Sequence, residues 1–473
     1  MEDTETGTDE ASSSSPATPF LVSQSPVRID QPMVEVDSAS ESSFSHGLPS
    51  SGHRGYELDI SLALVPSPSI APVLTDLDSR NVPLFDFMRR VFVPHLVRPV
   101  TDRRYVDGFI SQSLQLACEV PFFMNALMAC SGAEFPTDND RHRKVGESYY
   151  TKALAGLRAH LARDYSQQTE TVALRAIFLL CIYERSRLYL SKDVHTHLVG
   201  AAVLIKSCCD HMHQGVPEDL PDRLGWNRVV SLEAFIFHTA TSIPFQSPAC
   251  RSTIVDDAFD TALHTLGQLV RNGAIDPYKL PILGAPPKLF AYVRQVALLY
   301  QDSRSKNTLE RQQCLKLEQE LKNWNIGYPV DDFPSCSADS TPRRAEESIA
   351  NEALCLSSYY CPSDAAPLLG PQLYILAARI LLRHMMKQND SIEQSFSELI
   401  SEAMTLAINI EPSVDYYADY YAWPFFCLGV TLRSSLHRTL LMDKIVDFWE
   451  STTNGTMRRL ADMLRDEWSS SER

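Results

Sequence analysis

The hydrophobic pattern changes character once, near residue 80, and is densest between Thr171 and Cys209. That stretch reads TVALRAIFLLCIYE, then a polar break, then HLVGAAVLIKSCC. Val172, Ala176, Leu179, Leu180 and Tyr183 recur at helical spacing, and Ala173, Ile177 and Cys181 fill the flank. A helix apolar over most of its circumference belongs between other helices. Glu184 closes it, and a carboxylate in that place must find a partner or stay neutral. In the second half Leu198, Ala201, Ala202 and Ile205 share a face, with Gly200 expected to allow a close helix contact. The pattern predicts a central helical hairpin.

The same three-and-four spacing predicts helices on both sides of it. Leu84, Phe87, Met88, Val91 and Phe92 open the series, and Tyr105, Phe109 and Leu114 follow. Pro121 starts a helix with Phe123, Ala126, Leu127 and Cys130 on one face, proline being suited to the first helical turn. Val145, Tyr149, Ala153, Leu157 and Leu161 step by four. After a turn at Gly215 to Pro221 come Trp226, Val230, Phe237 and Ala240, then Phe259, Leu263, Leu266 and Val270. DPYKLPILGAPP, Asp276 to Pro287, reads as a stiff connector into Leu289, Val293, Val296 and Tyr300. Leu317, Leu321 and Trp324 end a polar helix before a loop from Tyr328 to Pro342. Pro371 precedes LYILAARILL, apolar all round, and Phe396, Leu399, Ala403 and Leu406 form an amphipathic helix. Trp423, Phe425, Phe426, Trp449, Leu460, Leu464 and Trp468 complete the chain.

Nothing reads as a strand meander, a βαβ unit or a fixed-period repeat. The predicted fold class is therefore all-α, a large multi-helix domain over 81–468 with a short C-terminal tail, 469–473. Residues 1–80 are read as a disordered acidic Ser/Pro-rich tail. Up to Ser50, nine acids face one base, Arg28, and such a segment buries too little apolar surface to offset its ordering entropy. Phe20, Leu21, Val22, Val34 and Phe44 dot the acidic background. That is the composition of disordered activation segments and also of inert tails, and the inert reading carries the greater weight.

Charge and cysteine usage narrow the function. With 43 basic and 59 acidic residues the formal charge is −16, which argues against a surface that wraps nucleic acid by itself. The eleven cysteines include no CxxC pair, and the acidic N-terminus has no apolar leader core, so reduced intracellular thiols are expected. No run of about 18 apolar residues predicts a membrane span.

Candidate chemistry is sparse. Asp256, Asp257 and Asp260 spell DDAFD, in the form of the Mg²⁺-binding DDxxD motif of class I terpene synthases. The second motif that chemistry needs is approached by NDSIEQSFSE, Asn389 to Glu398. Glu393 stands where a Ser or Thr belongs, and Ser397 where a Glu belongs. An acidic first turn on the helix at Phe259 explains the aspartates more simply. His195, His197, His211 and His213 form two HxH pairs, but residues i and i+2 point apart on a helix. Ser303-Arg304-Ser305-Lys306 matches SxxK without its companion motifs, in what reads as a polar linker. Arg141, Arg143 and Lys144 read as a solvated helix start. No catalytic, cofactor-binding or metal-binding residue is assigned, and the chain is expected not to be an enzyme.

An ordered series of segments resembles the fungal-specific transcription factor domain, the helical regulatory region found downstream of zinc binuclear clusters. The series starts at CEVPFFMNALMACSGAEF (Cys118 to Phe135) and continues with ESYYTKALAGLRAHL (Glu147 to Leu161) and LLCIYE (Leu179 to Glu184). HLVGAAVLI (His197 to Ile205), PILGAPPKLFAYVRQVALL (Pro281 to Leu299) and YAWPFFCLGV (Tyr421 to Val430) follow, with Trp468 near the end. The resemblance implies a nuclear regulator of transcription, often of a metabolic or secondary-metabolite gene cluster in a filamentous fungus.

One feature of such proteins is not found here. The first cysteine is Cys118, inside the helical region, so no zinc cluster or basic recognition element precedes it. The expected partners are the transcription machinery or other transcription factors, with DNA reached indirectly or through a zinc-cluster exon upstream of Met1. Either a homodimer or a heterodimer fits. No membrane partner and no cofactor are expected. Arg343-Arg344 is too short for a nuclear-import signal, which leaves entry to a partner. The alternative is an all-helical terpene synthase-like enzyme using Mg²⁺ at Asp256, Asp257 and Asp260. A purely structural adaptor is the third reading. A small-molecule cavity in the helical core is compatible with the first, and no sequence feature locates it.

The packing reading makes Leu180 a test position. Leu180→Asp strands a charge in the core and is expected to unfold the domain, at a cost of several kcal/mol. Cooperative melting retained in that variant, followed by circular dichroism, would show that the hairpin is not central.

Overall fold

Every residue from Glu170 to Ser186 is buried, so the helix that carries them, Gln167–Ser186, has no solvent face along that length. The computed structural model describes residues 79–98, 103–136, 140–163, 167–188, 193–214, 223–306, 310–324, 366–386, 393–412 and 418–471. These residues carry α-helices, short 3₁₀ turns and one π-helical stretch, Met88–Phe92, with no β-strand among them. The all-α expectation holds. The acidic tail, the turn at Gly215 to Pro221 and the loop from Tyr328 to Pro342 lie outside the described residues.

Two buried centres organise the helices. Gln167–Ser186 packs against Pro121–Ala133, Asp140–Leu161, Asp193–Gln214, Arg223–Thr241 and Gly455–Ser471. Its pairing with Asp193–Gln214 is the predicted hairpin. Ala366–Met386 is the second centre and touches Pro287–Lys306, Arg311–Lys322, Glu393–Asn409 and Ala418–Thr431. Aromatic rings bridge the two. Phe237 stacks on Tyr420 with centroids 5.8 Å apart, and Tyr374 lies parallel to Trp423 at 5.4 Å. Tyr374 donates its hydroxyl to the Tyr420 carbonyl at 2.6 Å, so the ring cluster is pinned by a polar bond as well as by area.

The C-terminal end of the central helix is closed by side chains from far along the chain. Arg185 Nε pairs with Asp419 at 2.6 Å with both groups buried, and Arg185 Nη1 donates to Thr241 Oγ1 at 3.0 Å. The Arg185 carbonyl, unpaired within the helix as any last-turn carbonyl is, accepts from Thr456 Oγ1 and from Arg459 Nη2, each at 2.5 Å. Next to it, Ser186 Oγ and Asn454 Nδ2 donate to Glu134 Oε1 at 2.5 and 3.0 Å. Glu184 finds the partner its position demands in Arg187, at 3.3 Å.

Four details depart from the hydropathy reading. Gly200 is exposed, and a Cβ there would meet nothing within 4 Å. The close approach occurs instead where Pro121–Ala133 crosses Asp140–Leu161. A Cβ on Gly132 would lie 2.7 Å from Gly146 Cα and 2.8 Å from the His142 carbonyl. The helix expected after Pro371 begins at Ala366 and carries that proline inside it. The helix expected at Phe259 begins at Thr253. The Asp276 to Pro287 connector is a core element, with Leu280, Leu283 and Ala285 fully buried.

The glycines give opposed expectations. Gly132→Ala forces two helix backbones apart and should destabilise by about 1–3 kcal/mol, in the range of overpacked cores. Gly200→Ala, in an open helix interior, should stabilise by about 0.5–1 kcal/mol. Denaturant midpoints that move the same way in both variants would contradict this placement of the helix crossing.

Candidate functional site

The structure scatters most of the residues that sequence chemistry singles out. Asp256 is held by the Arg294 guanidinium, while Asp257 and Asp260 are exposed in the first turns of Thr253–Arg271. Among the described residues, no three His, Cys, Asp or Glu side chains come together as a metal site. Part of the Asn389 to Glu398 segment lies outside the described residues. His197 is buried, with Nε2 3.0 Å from the Tyr150 hydroxyl, and burial holds its pKa below the usual range. His195 faces elsewhere, onto a shallow cleft that Asp256 and Arg294 also line. The side chains of His211 and His213 are outside the described set. Ser303 to Lys306 form the last turn of Pro287–Lys306 rather than a linker, and Ser303 Oγ donates to the Tyr300 carbonyl at 2.8 Å. Arg141 and Lys144 are exposed at the start of Asp140–Leu161, as a solvated helix start requires.

The feature with the chemistry of a site is a cavity of about 70 Å³ between the central helix and Arg223–Thr241. Leu96, Phe109, Phe123, Leu127, Phe178, Leu179, Ile182, Val230, Ala234, Phe237 and Ile282 make its wall almost wholly apolar. The exceptions are Arg175, Ser113, Ser231 and His238. Arg175 is buried, donates from Nη2 to Ser113 Oγ at 2.5 Å and reaches Asn227 Oδ1 at 3.4 Å. Its guanidinium also lies over the rings of Phe109 and Phe123, 5.1 and 5.2 Å from their centroids. Burial lowers its pKa to about 10, which leaves it charged at neutral pH. His238 is buried beside Phe178 and Phe237, and its Nδ1 has no hydrogen-bond partner among the described residues. Desolvation first, and the nearby Arg185 charge second, push its pKa well down, which favours the uncharged ring.

Behind this wall Glu233 fixes the buried connector. Its Oε2 accepts from the amides of Ile282 and Leu283 at 2.8 and 2.9 Å, which turns Ile282 into the cavity. The Arg98 amide donates to the Pro281 carbonyl at 2.9 Å, and Tyr420 donates its hydroxyl to the Leu283 carbonyl at 2.9 Å. Gly284 adopts φ +55° with the Arg98 guanidinium over its Cα, where a Cβ would collide with Nη1. Only glycine fits both the dihedral and the space.

Arg175, His238 and Glu233 escaped the motif search because none belongs to a spaced motif. A signal was present all the same. Arg175 is the lone charged residue in the apolar run TVALRAIFLL, and Glu233 and His238 are the two titratable residues of the apolar run SLEAFIFH. Such a residue has no solvated face to occupy, so it needs a partner inside.

The family model described as fungal specific transcription factor domain matches residues 90–473. No curated protein and no solved structure matches the chain.

The Glu233 carboxyl has a consequence for pH. Burial pushes its pKa up to about 8, against the opposing pull of the Leu283 and Ile282 amides and of Arg98. A folded-state pKa above the unfolded one gives a contribution that is whole below the unfolded value, near 4.5, and lost as pH rises through about 8. Wild-type stability relative to Glu233→Gln is therefore expected to fall across that window, by at most about 1.4 kcal/mol per pH unit. Parallel stability profiles for the two proteins from pH 5 to 8 would show that the carboxyl is ionised throughout.

Proposed function

The chain belongs to the fungal-specific transcription factor domain family and is a transcriptional regulator, and from that premise we propose that it controls a metabolic or secondary-metabolite gene cluster from the nucleus, without catalysis and through protein partners. The observation that carries this reading is the family match over residues 90–473, which covers nearly all of the helical body. Residues 81–468 are the regulatory body in this scheme, and the acidic stretch over 1–80 contacts the transcription machinery.

Charge supports the reliance on partners. The chain carries a formal −16, and its first cysteine, Cys118, stands in the core helix Arg103–Glu119, so these residues hold no zinc cluster ahead of the helices and no basic footprint for phosphates. In this reading DNA is reached through a partnering transcription factor or through a zinc cluster encoded upstream. Among the described residues no single helix is long and apolar enough to cross a membrane.

The test is genetic. Deleting the gene should change transcript levels of a set of physically linked genes by severalfold, and a fluorescent fusion that restores them should accumulate in the nucleus. A transcriptome unchanged by the deletion under conditions that express the protein would remove this reading.

A further inference from the structure

Two buried arginines on the central helix are treated differently by the fold. Arg185 has the Asp419 carboxylate at 2.6 Å. Arg175, three turns earlier, has a serine hydroxyl, a distant amide oxygen and two ring faces, and no Asp or Glu among the described residues pairs with it. A guanidinium does not shed its proton at neutral pH, and among the described residues two of its five N–H groups find an acceptor. An uncompensated buried ion is among the least favourable things a core can hold. Arg175 also borders empty space whose wall is otherwise apolar apart from Ser113, Ser231 and His238.

We propose that this cavity binds a small organic monocarboxylate with a short apolar body, the carboxylate paired with Arg175 and the body lying against the apolar wall beside Phe123 and Phe178. A carboxylate matches the fork of N–H groups that a guanidinium presents and supplies the missing negative charge. Water could fill the space without balancing the charge. His238 also borders the cavity, on the helix Arg223–Thr241. One turn beyond His238, Thr241 accepts from Arg185, so an occupied cavity abuts the ion pair that joins the two helical centres. This connection to regulation rests on the reading above, whereas the binding chemistry does not.

The experiment uses the purified full chain, with calorimetric titration and thermal melting. Acetate, propanoate and butanoate, matched to the small cavity, are compared with ethanol, 1-propanol and butylamine. At least one acid should bind tenfold or more tightly than its matched alcohol or amine and raise Tm. Arg175→Met removes the charge and keeps apolar volume. The variant should melt at or above the wild-type temperature without ligand and lose the acid preference at least tenfold. Should that variant fail to fold, Ala234→Leu narrows the cavity with Arg175 intact, and it should melt cooperatively while losing acid binding. Absence of binding by all three acids at millimolar concentration would overturn the proposal, as would acid binding unchanged in the variants. A lowered Tm in Arg175→Met, with acids and alcohols bound equally by wild type, would assign Arg175 a purely structural role and overturn it too. These readings are made on isolated protein, so their failure leaves the transcriptional role standing, and an unchanged transcriptome leaves the cavity standing.

Discussion

The architecture depends on how the last turn of Gln167–Ser186 is closed. A helix buried on every side has no water to satisfy its terminal carbonyls, and its polar end must be met by protein. Here Thr456 and Arg459 meet the Arg185 carbonyl, while Asp419 meets the Arg185 side chain. A buried ion pair taken alone roughly breaks even against its desolvation. Its value here lies in what it specifies. Residues from Ala418–Thr431 and Gly455–Ser471 can satisfy the end of the central helix only when the two helical centres are in register. The neighbouring Glu134, Ser186 and Asn454 bonds repeat the constraint with the end of Pro121–Ala133.

The same helix carries the opposite case. Arg185 is compensated and rigidifies the fold, whereas Arg175 is enclosed with aromatic faces, a hydroxyl and an amide oxygen, and no carboxylate among the described residues pairs with it. A structural arginine in a core of this kind is ordinarily paired, since removing water from a guanidinium is repaid only by a close carboxylate or a full set of acceptors. The contrast lies within a single helix: Arg185 sits in the main core, while the cavity beside Arg175 lies where that core meets a smaller cluster of Val97, Phe109 and Val230. It identifies the cavity beside Arg175 as the place where the fold leaves a charge for something else to meet.

The buried connector links these features. Glu233 holds Ile282 and Leu283 by their amides, Ile282 lines the cavity, and the Leu283 carbonyl accepts from Tyr420, which stacks on Phe237 in the cavity wall. A chain segment without helical hydrogen bonds survives in the interior because side chains take over its amides and carbonyls. The cavity wall, the aromatic bridge and the carboxyl of Glu233 therefore form one hydrogen-bonded unit.

Hydropathy spacing alone determined the fold class, the central hairpin and most helix faces, because burial imposes a period of three to four residues wherever a helix meets a core. Ordered segments such as LLCIYE and YAWPFFCLGV were enough to indicate the family. Helix ends at Pro371 and Phe259 were misplaced because tertiary packing extends a helix past weak local signals. The glycine contact was assigned to Gly200 and belongs to Gly132 and Gly146, since one strand of sequence does not say which face another helix will cross. Arg175, His238 and Glu233 were visible as polar residues in apolar runs, but their partners lie dozens of residues away. Whether a buried charge is paired, as Arg185 is by Asp419, or left facing a cavity, as Arg175 is, was decided only by the tertiary structure, because pairing is a matter of distance in space and not of spacing along the chain.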